Sequence, residues 1–167
     1  ITCDGCYAFS GWASSVNGDV SGFHSSPENT FDAWVVRIDT SGEIKWQKCI
    51  GGSSQDNALS IHQTNDRGFI VSGSTRSNDG DLTGNHRHTL QADDWVIKLD
   101  QDGNIEWQKC LGGSVAQEAE SISQTTDRGY VFEGFTFSTD DDGFGNHGGE
   151  DGWVVKHDSI GKMEWHQ

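Results

Sequence analysis

One segment occurs three times in this chain at intervals of roughly 60 residues, as Asp32-Ala-Trp-Val-Val-Arg-Ile-Asp39, Asp93-Asp-Trp-Val-Ile-Lys-Leu-Asp100 and Asp151-Gly-Trp-Val-Val-Lys-His-Asp158. Each copy is followed by a second tryptophan segment, at 44–50, 105–111 and the shorter 163–167. Two of these run on into Gly-Gly-Ser, at Gly51 and Gly112. A further pair, Asp66-Arg-Gly-Phe69 and Asp127-Arg-Gly-Tyr130, has a degenerate partner at Asp4-Gly-Cys-Tyr7. Copies of one short unit cannot bury an apolar face alone and must cover one another, which restricts the fold more than composition does.

The middle copy contains four strand-like runs, at 58–64, 68–75, 93–100 and 104–111. In the third run Trp95, Ile97 and Leu99 alternate with Val96 and Lys98, the period of two that puts one apolar row on one sheet face. In the fourth, the same alternation predicts Ile105, Trp107 and Leu111 on one face and Glu106, Gln108 and Cys110 on the other. Hairpin turns are spelled Asp-x-x-Gly at Asp39/Gly42, Asp100/Gly103 and Asp158/Gly161, where Asp bonds the turn backbone and Gly accepts positive φ.

The expected fold is all-β: β-propeller blades of four antiparallel strands, about 60 residues per repeat. The divisions fall at 1–57 for a first, incomplete blade with its linker, 58–114 for the second and 115–167 for the third. Solenoid coils are usually shorter, and a plain β-sandwich has no internal repeat. The first copy lacks its opening strand, so the chain holds under three blades, an incomplete ring where closed propellers have about four to eight. The expected partners are therefore copies of the chain itself or the remainder of a longer propeller.

Composition agrees. Glycine at 22 residues supplies turns, a single proline (Pro27) leaves the strands unbroken, and seven tryptophans suit half-buried strands. With 11 Lys and Arg against 26 Asp and Glu, the formal charge of −15 excludes a nucleic-acid backbone as partner. No apolar run of about 18 residues is present to span a bilayer. With neither an initiator Met nor a charged-then-apolar leader at Ile1, the sequence reads as a mature chain or a fragment.

The runs "SNDGDLTGNH" from Ser77, "DDWVIKLDQDGNIEWQKCLGGS" from Asp93 and "SISQTTDRGYVFEG" from Ser121 resemble the tandem β-propeller repeats of large secreted or surface bacterial proteins. The resemblance covers nearly the whole chain. It implies the fold and an extracellular or cell-surface setting, and no particular activity. The first repeat departs from the pattern: Cys6 replaces a turn glycine, and Phe23 stands where later copies have asparagine.

Between the second and third strands of each repeat lies an acidic loop closed by histidine: Asn17-Gly-Asp19 with His24, Asp79-Gly-Asp81 with His86, and Asp140-Asp-Asp142 with His147. Alternating carboxylates in a glycine-containing loop are candidate ligands for Ca²⁺, a hard cation that takes six to eight oxygens. The alternative is that the acids form Asx-turns and the histidine bonds a nearby carbonyl without any ion. The following stretches vary in length, and variable loops on a rigid scaffold are natural contact surfaces. Residues 23–30, 87–92 and 148–150 are the expected recognition surfaces, with His86, Arg87, His88 and His147 as candidate binding residues.

The repeated tryptophans are expected to pack between blades. Trp12, which stands where the other copies have Ser74 and Thr136, is the candidate for an exposed aromatic contact with a sugar or a surface protein. Cys49 and Cys110 occupy equivalent places in neighbouring repeats, too far apart to pair, and Cys3-x-x-Cys6 reads as a local disulfide or as packed thiols. An enzyme needs one asymmetric set of acid, base or nucleophile. The polar residues here recur copy by copy, so the expectation is a non-enzymatic scaffold for adhesion, ligand binding or self-assembly. A lectin-like glycan binder is the alternative, and a glycan-cleaving enzyme a more distant one.

Overall fold

The computed structural model describes residues 1–24, 30–86, 92–115, 117–140, 142 and 145–167. Within them are eleven strands in three antiparallel sheets, with no α-helix among the described residues and so none long enough to cross a membrane. The first sheet holds β1 (Tyr7–Ala13), β2 (Asp32–Ile38) and β3 (Ile44–Ile50) in that order. The middle sheet holds β4 (Asp56–Gln63), β5 (Phe69–Thr75), β6 (Asp93–Leu99) and β7 (Ile105–Leu111). The third holds β8 (Gln117–Gln124), β9 (Tyr130–Thr136), β10 (Asp151–His157) and β11 (Met163–His166). Each is a meander whose neighbours in sequence are neighbours in space.

The sheets copy one another down to their irregularities. The register slips between Ala58 and Ser60 in β4 and between Ala119 and Ser121 in β8, and again between Arg37/Ile38, Lys98/Leu99 and Lys156/His157. The slip opposite Lys98/Leu99 overturns one sequence expectation. Leu99 pairs with Ile105 and Lys98 with Trp107, so a residue is bulged between them and the alternation of β7 breaks. Ile105 consequently packs toward the first sheet, while Trp107 and Leu111 pack toward the third.

The middle sheet is covered on both faces. Phe69, Val71, Trp95, Ile97 and Leu99 pack on Ala33, Val35 and Ile50 of the first sheet. On the opposite face Ile70, Val96 and Leu111 pack on Ile122, Tyr130, Phe132, Trp153 and Val155 of the third. Every residue of β6 is buried. Each such Val, Leu or Ile contributes about 1.5–3 kcal/mol relative to exposure, and none of that would exist in a single free sheet. The closest contacts between sheets run β1 to β4, β4 to β8 and β5 to β8, so the opening strands gather at one edge and β3, β7 and β11 lie farthest out.

Candidate functional site

The acidic loops meet at the junctions between sheets. Gly51 and Gly52, just after β3, lie beneath the loop that follows β5. The Asp81 amide donates to the Gly51 carbonyl at 2.9 Å, and the Ser53 amide donates to Asp79 Oδ1 at 2.7 Å. A Cβ on Gly52 would fall 2.2 Å from Asp79 Oδ1, which is why the pair of glycines recurs. The second junction repeats the arrangement: Asp142 N to Gly112 O at 3.0 Å, Ser114 N to Asp140 Oδ1 at 2.8 Å, and Gly112 N to Asp142 Oδ2 at 3.2 Å.

The loop histidine completes each junction. His24 Nδ1 lies 2.8 Å from Asp32 Oδ2, whose side chain is fully buried, and His24 Nε2 lies 3.3 Å from Asp81 Oδ2 of the next sheet. His86 bridges Asp93 at 3.1 Å and Asp142 at 3.8 Å in the same way. The backbone amides of His24, His86 and His147 also donate to Asp32, Asp93 and Asp151, at 2.8, 2.6 and 2.6 Å. A carboxylate, an imidazole and a second carboxylate thus tie one sheet to the next.

Of the residues singled out in the sequence, Asp79, Asp81, Asp140, Asp142 and His86 converge at these junctions. Asn17 accepts from the Ser15 hydroxyl at 2.8 Å, and Asp19 is exposed with no polar partner among the described residues. His147 is 92% exposed, and among the described residues its ring reaches only Asp151, at 3.6 Å. Arg87 and His88, and with them most of the 87–92 surface, lie outside the described residues, as does much of 23–30. Among the described residues no three His, Cys, Asp or Glu side chains form a group that could hold a metal ion.

Trp12 is 61% exposed and lies 5.2 Å from Phe31, ring to ring, tilted at 45°. Its pairing with Ala33 matches Ser74 with Asp94 and Phe135 with Gly152. The third-repeat counterpart is therefore Phe135 and not Thr136, because the strands align one residue differently from the loops that follow them. Cys3, Cys6, Cys49 and Cys110 are all free thiols, so no local Cys3–Cys6 disulfide is present. Burial pushes the Cys49 thiol up to about 11 and the Cys110 thiol up to about 12, with nearby aspartates adding to the shift, so neither is a nucleophile at neutral pH.

Two elements went unread in the sequence, one between the sheets and one inside them. Gln63 accepts from the Cys3 amide at 2.6 Å, and Gln124 from the Asn65 amide at 2.8 Å, each one sheet away. Lys98 is buried with Nζ 2.9 Å from both Asp66 and Glu106, and Lys156 repeats this with Asp127 and Glu164. The first sheet substitutes Arg37, paired with Asp4. The signal for the lysine clusters was present: a lysine next to last in β6 and in β10, each with a glutamate eight residues on.

No family model matches the chain, and no curated protein matches it. Among solved structures, a protein of unknown function from Bacteroides caccae, determined at 1.35 Å, is similar with a TM-score of 0.50 at 10% identity over 83% of this chain. The chain spans 44% of the length of that protein. At this identity the likeness concerns the fold alone.

Proposed function

We propose that the chain is a segment of β-propeller blades acting as a secreted or cell-surface scaffold for adhesion, ligand binding or self-assembly, without catalysis. The observation that carries this reading is the middle sheet, covered on both faces by sheets of its own register and joined to each by the same contacts. Such packing suits a stack that continues. All three long loops link the second and third of the shared strands, so they emerge at one end of the stack, where variable connections serve recognition. The histidines and carboxylates of the junctions join sheet to sheet and recur, unlike a single asymmetric active site.

A glycan-binding version of this reading is favoured by Trp12, whose exposed flat face beside Phe31 suits a sugar ring. The test is a glycan array and a panel of matrix proteins probed with the folded chain and with Trp12→Ala, alongside a polysaccharide hydrolysis assay. Retention without bond cleavage is the expected result, and loss of a glycan signal in Trp12→Ala would assign the sugar contact. Turnover of any polysaccharide would overturn the scaffold reading.

A further inference from the structure

We propose that Arg67 and Arg128 head two equivalent pockets, one at each junction between sheets, that bind carboxylate-bearing sugars, the uronate units of an acidic polysaccharide. The inference rests on the ligand-binding reading above and deepens it by naming a ligand class and a second surface, at the end opposite the long loops.

Among the described residues, Arg67 and Arg128 are the only ones other than glycine with positive φ, at 70° and 68°. L side chains enter that region at a cost that glycine escapes. Both stand in the same turn, between β4 and β5 and between β8 and β9. The Arg67 amide donates to the Thr64 carbonyl at 2.9 Å, and the Arg128 amide to the Thr125 carbonyl at 3.0 Å. The turn needs no arginine. Gly5 makes it just before β1, at φ 83°, with its amide 2.9 Å from the Thr2 carbonyl. Both arginines are exposed, and neither guanidinium has a hydrogen-bond or ion-pair partner among the described residues, in a chain where acids outnumber Lys and Arg by 26 to 11. A strained residue whose side chain does nothing for the fold calls for a use outside it.

Each guanidinium stands at a polar pocket, of about 430 Å³ for Arg128 and about 400 Å³ for Arg67, within the range of about 300–1,000 Å³ of small-molecule sites. A glutamine fixes each turn in place. Gln124 Oε1 accepts from the Asn65 amide of the preceding sheet, and its Nε2 donates to the Arg128 carbonyl at 3.4 Å. Gln63 does the same between the Cys3 amide and the Arg67 carbonyl, the latter at 3.5 Å. The arginine turns are thus held before any ligand arrives, which lowers the ordering cost of binding.

The walls decide the ligand. In the Arg128 pocket Lys98 is fully engaged, its three protons taken by the Leu99 carbonyl, Asp66 and Glu106, each at 2.9 Å. The groups left open are the Arg128 guanidinium, the exposed Asn65 carboxamide and the exposed Ser159 hydroxyl. In the Arg67 pocket Arg37 pairs with Asp4, but its Nε is buried without a hydrogen-bond partner among the described residues, and Gln101 and Asp102 are exposed nearby. A planar guanidinium fork matches a carboxylate through two parallel hydrogen bonds. The amides, hydroxyl and carboxylate around it match hydroxyl groups. Among the described residues no aliphatic side chain lines either pocket, as an apolar ligand would require. A uronic acid combines the two features, one carboxylate on a ring of hydroxyls.

Charge agrees. Arg128 and Lys98 stand against Asp66 and Glu106 in one pocket, and Arg67 and Arg37 against Asp4 and Asp102 in the other. The lining of each is neutral, so an anion meets no net local repulsion despite the chain's charge of −15. Because the pockets recur at successive junctions, a polymer long enough to span them makes its second contact intramolecularly and gains avidity.

The test is isothermal titration calorimetry of the folded chain with tetramers of galacturonate and of mannuronate, a neutral galactose tetramer and tetraglutamate. The expected result is binding of at least one uronate tetramer, weakened by salt, with no heat from the neutral sugar or the peptide. Arg67→Gly and Arg128→Gly should each remove one site, and the double variant should remove all binding. Their melting midpoints should hold or rise, because Gly5 already makes this turn. Arg67→Lys and Arg128→Lys, which keep the charge and lose the fork, should weaken their own site by roughly tenfold. No binding of either uronate, equal binding of tetraglutamate or of the neutral tetramer, dependence on one arginine alone, or binding that survives the double variant overturns the proposal. Failure of the underlying reading looks different: the titrated tetramers would emerge from chromatography cleaved.

Discussion

The ring of Trp46 lies so close over Gly103 of the next sheet that its Cε3 would be 2.8 Å from a Cβ there, and Trp107 holds Gly161 at the same 2.8 Å. Both glycines also have positive φ, 83° and 78°, so a side chain meets backbone strain and an aromatic ring together. Gly42, at φ 90°, has the strain without the ring. Gly103→Ala and Gly161→Ala are expected to cost about 2–4 kcal/mol, left-handed strain plus overpacking. Gly42→Ala should cost only about 1–2 kcal/mol, from the backbone alone. Melting midpoints of dilute protein separate the cases, and equal losses at all three positions would remove the tryptophans from the junction.

Lys98 anchors a cluster inside the middle sheet, tying β6 to the β4–β5 turn and to β7. Its side chain is 2% exposed, whereas its partners Asp66 and Glu106 are 57% and 47% exposed. Burial disfavours its charge, but the two carboxylates outweigh that and hold its pKa above the ordinary value. Asp66→Asn or Glu106→Gln alone leaves one carboxylate on the ammonium and should cost about 1 kcal/mol or less. The double variant strands a buried cation and should cost about 3 kcal/mol or more, a non-additive result in a double-mutant cycle. Simple addition of the two losses would show that the two carboxylates act independently and that Lys98 is not stranded when both are gone.

Asp66 adds a pH signature to the same cluster. Burial opposes its charge, yet hydrogen bonds from Thr64, Lys98 and the Gly68 amide win and hold its pKa at about 2, below the ordinary 3.8. The stability this supplies is present above 3.8 and is lost as pH falls through about 2. Acid unfolding should therefore narrow the gap between the wild type and Asp66→Asn over that interval. A gap independent of pH would mean that the carboxylate contributes no charge-dependent stability.

The repeat made the strands and their meander order legible, because period-two alternation and Asp-x-x-Gly turns are local signals. The bulge that turns Ile105 away from Trp107 was not legible, since it depends on how β7 pairs with β6. The acidic loops were legible as loops, and their carboxylates as oxygen donors. What those oxygens hold was hidden: Asp79 accepts from Ser53, 26 residues earlier in sequence, and Asp81 faces His24 of the preceding sheet. Equivalent residues in different copies look interchangeable in sequence, yet His86 is half covered and His147 bare, because covering depends on which sheet comes next.

His157 shows one copy departing from the pattern at measurable cost. It pairs with Tyr130 as Leu99 pairs with Phe69 and Ile38 with Tyr7, so a histidine fills a position otherwise aliphatic. It is 1% exposed, and its Nδ1 has no hydrogen-bond partner among the described residues. Burial pushes its pKa from 6.5 down to about 4; Asp158 pulls the other way, and Lys109 and Lys156 reinforce the drop. The unfolded chain takes up a proton near pH 6.5 that the folded chain refuses until about 4. Stability from this group is thus complete above 6.5, declines as pH falls through that window and declines no further below 4. At about 1.4 kcal/mol per pH unit, the full loss is roughly 3 kcal/mol. His157→Leu removes the orphaned nitrogen and the proton linkage together. It should stabilise the chain by about 1 kcal/mol near neutral pH, with the advantage widening through the window toward pH 4. Urea unfolding at neutral and acidic pH measures this, and an advantage that stays constant would place the imidazole in contact with water.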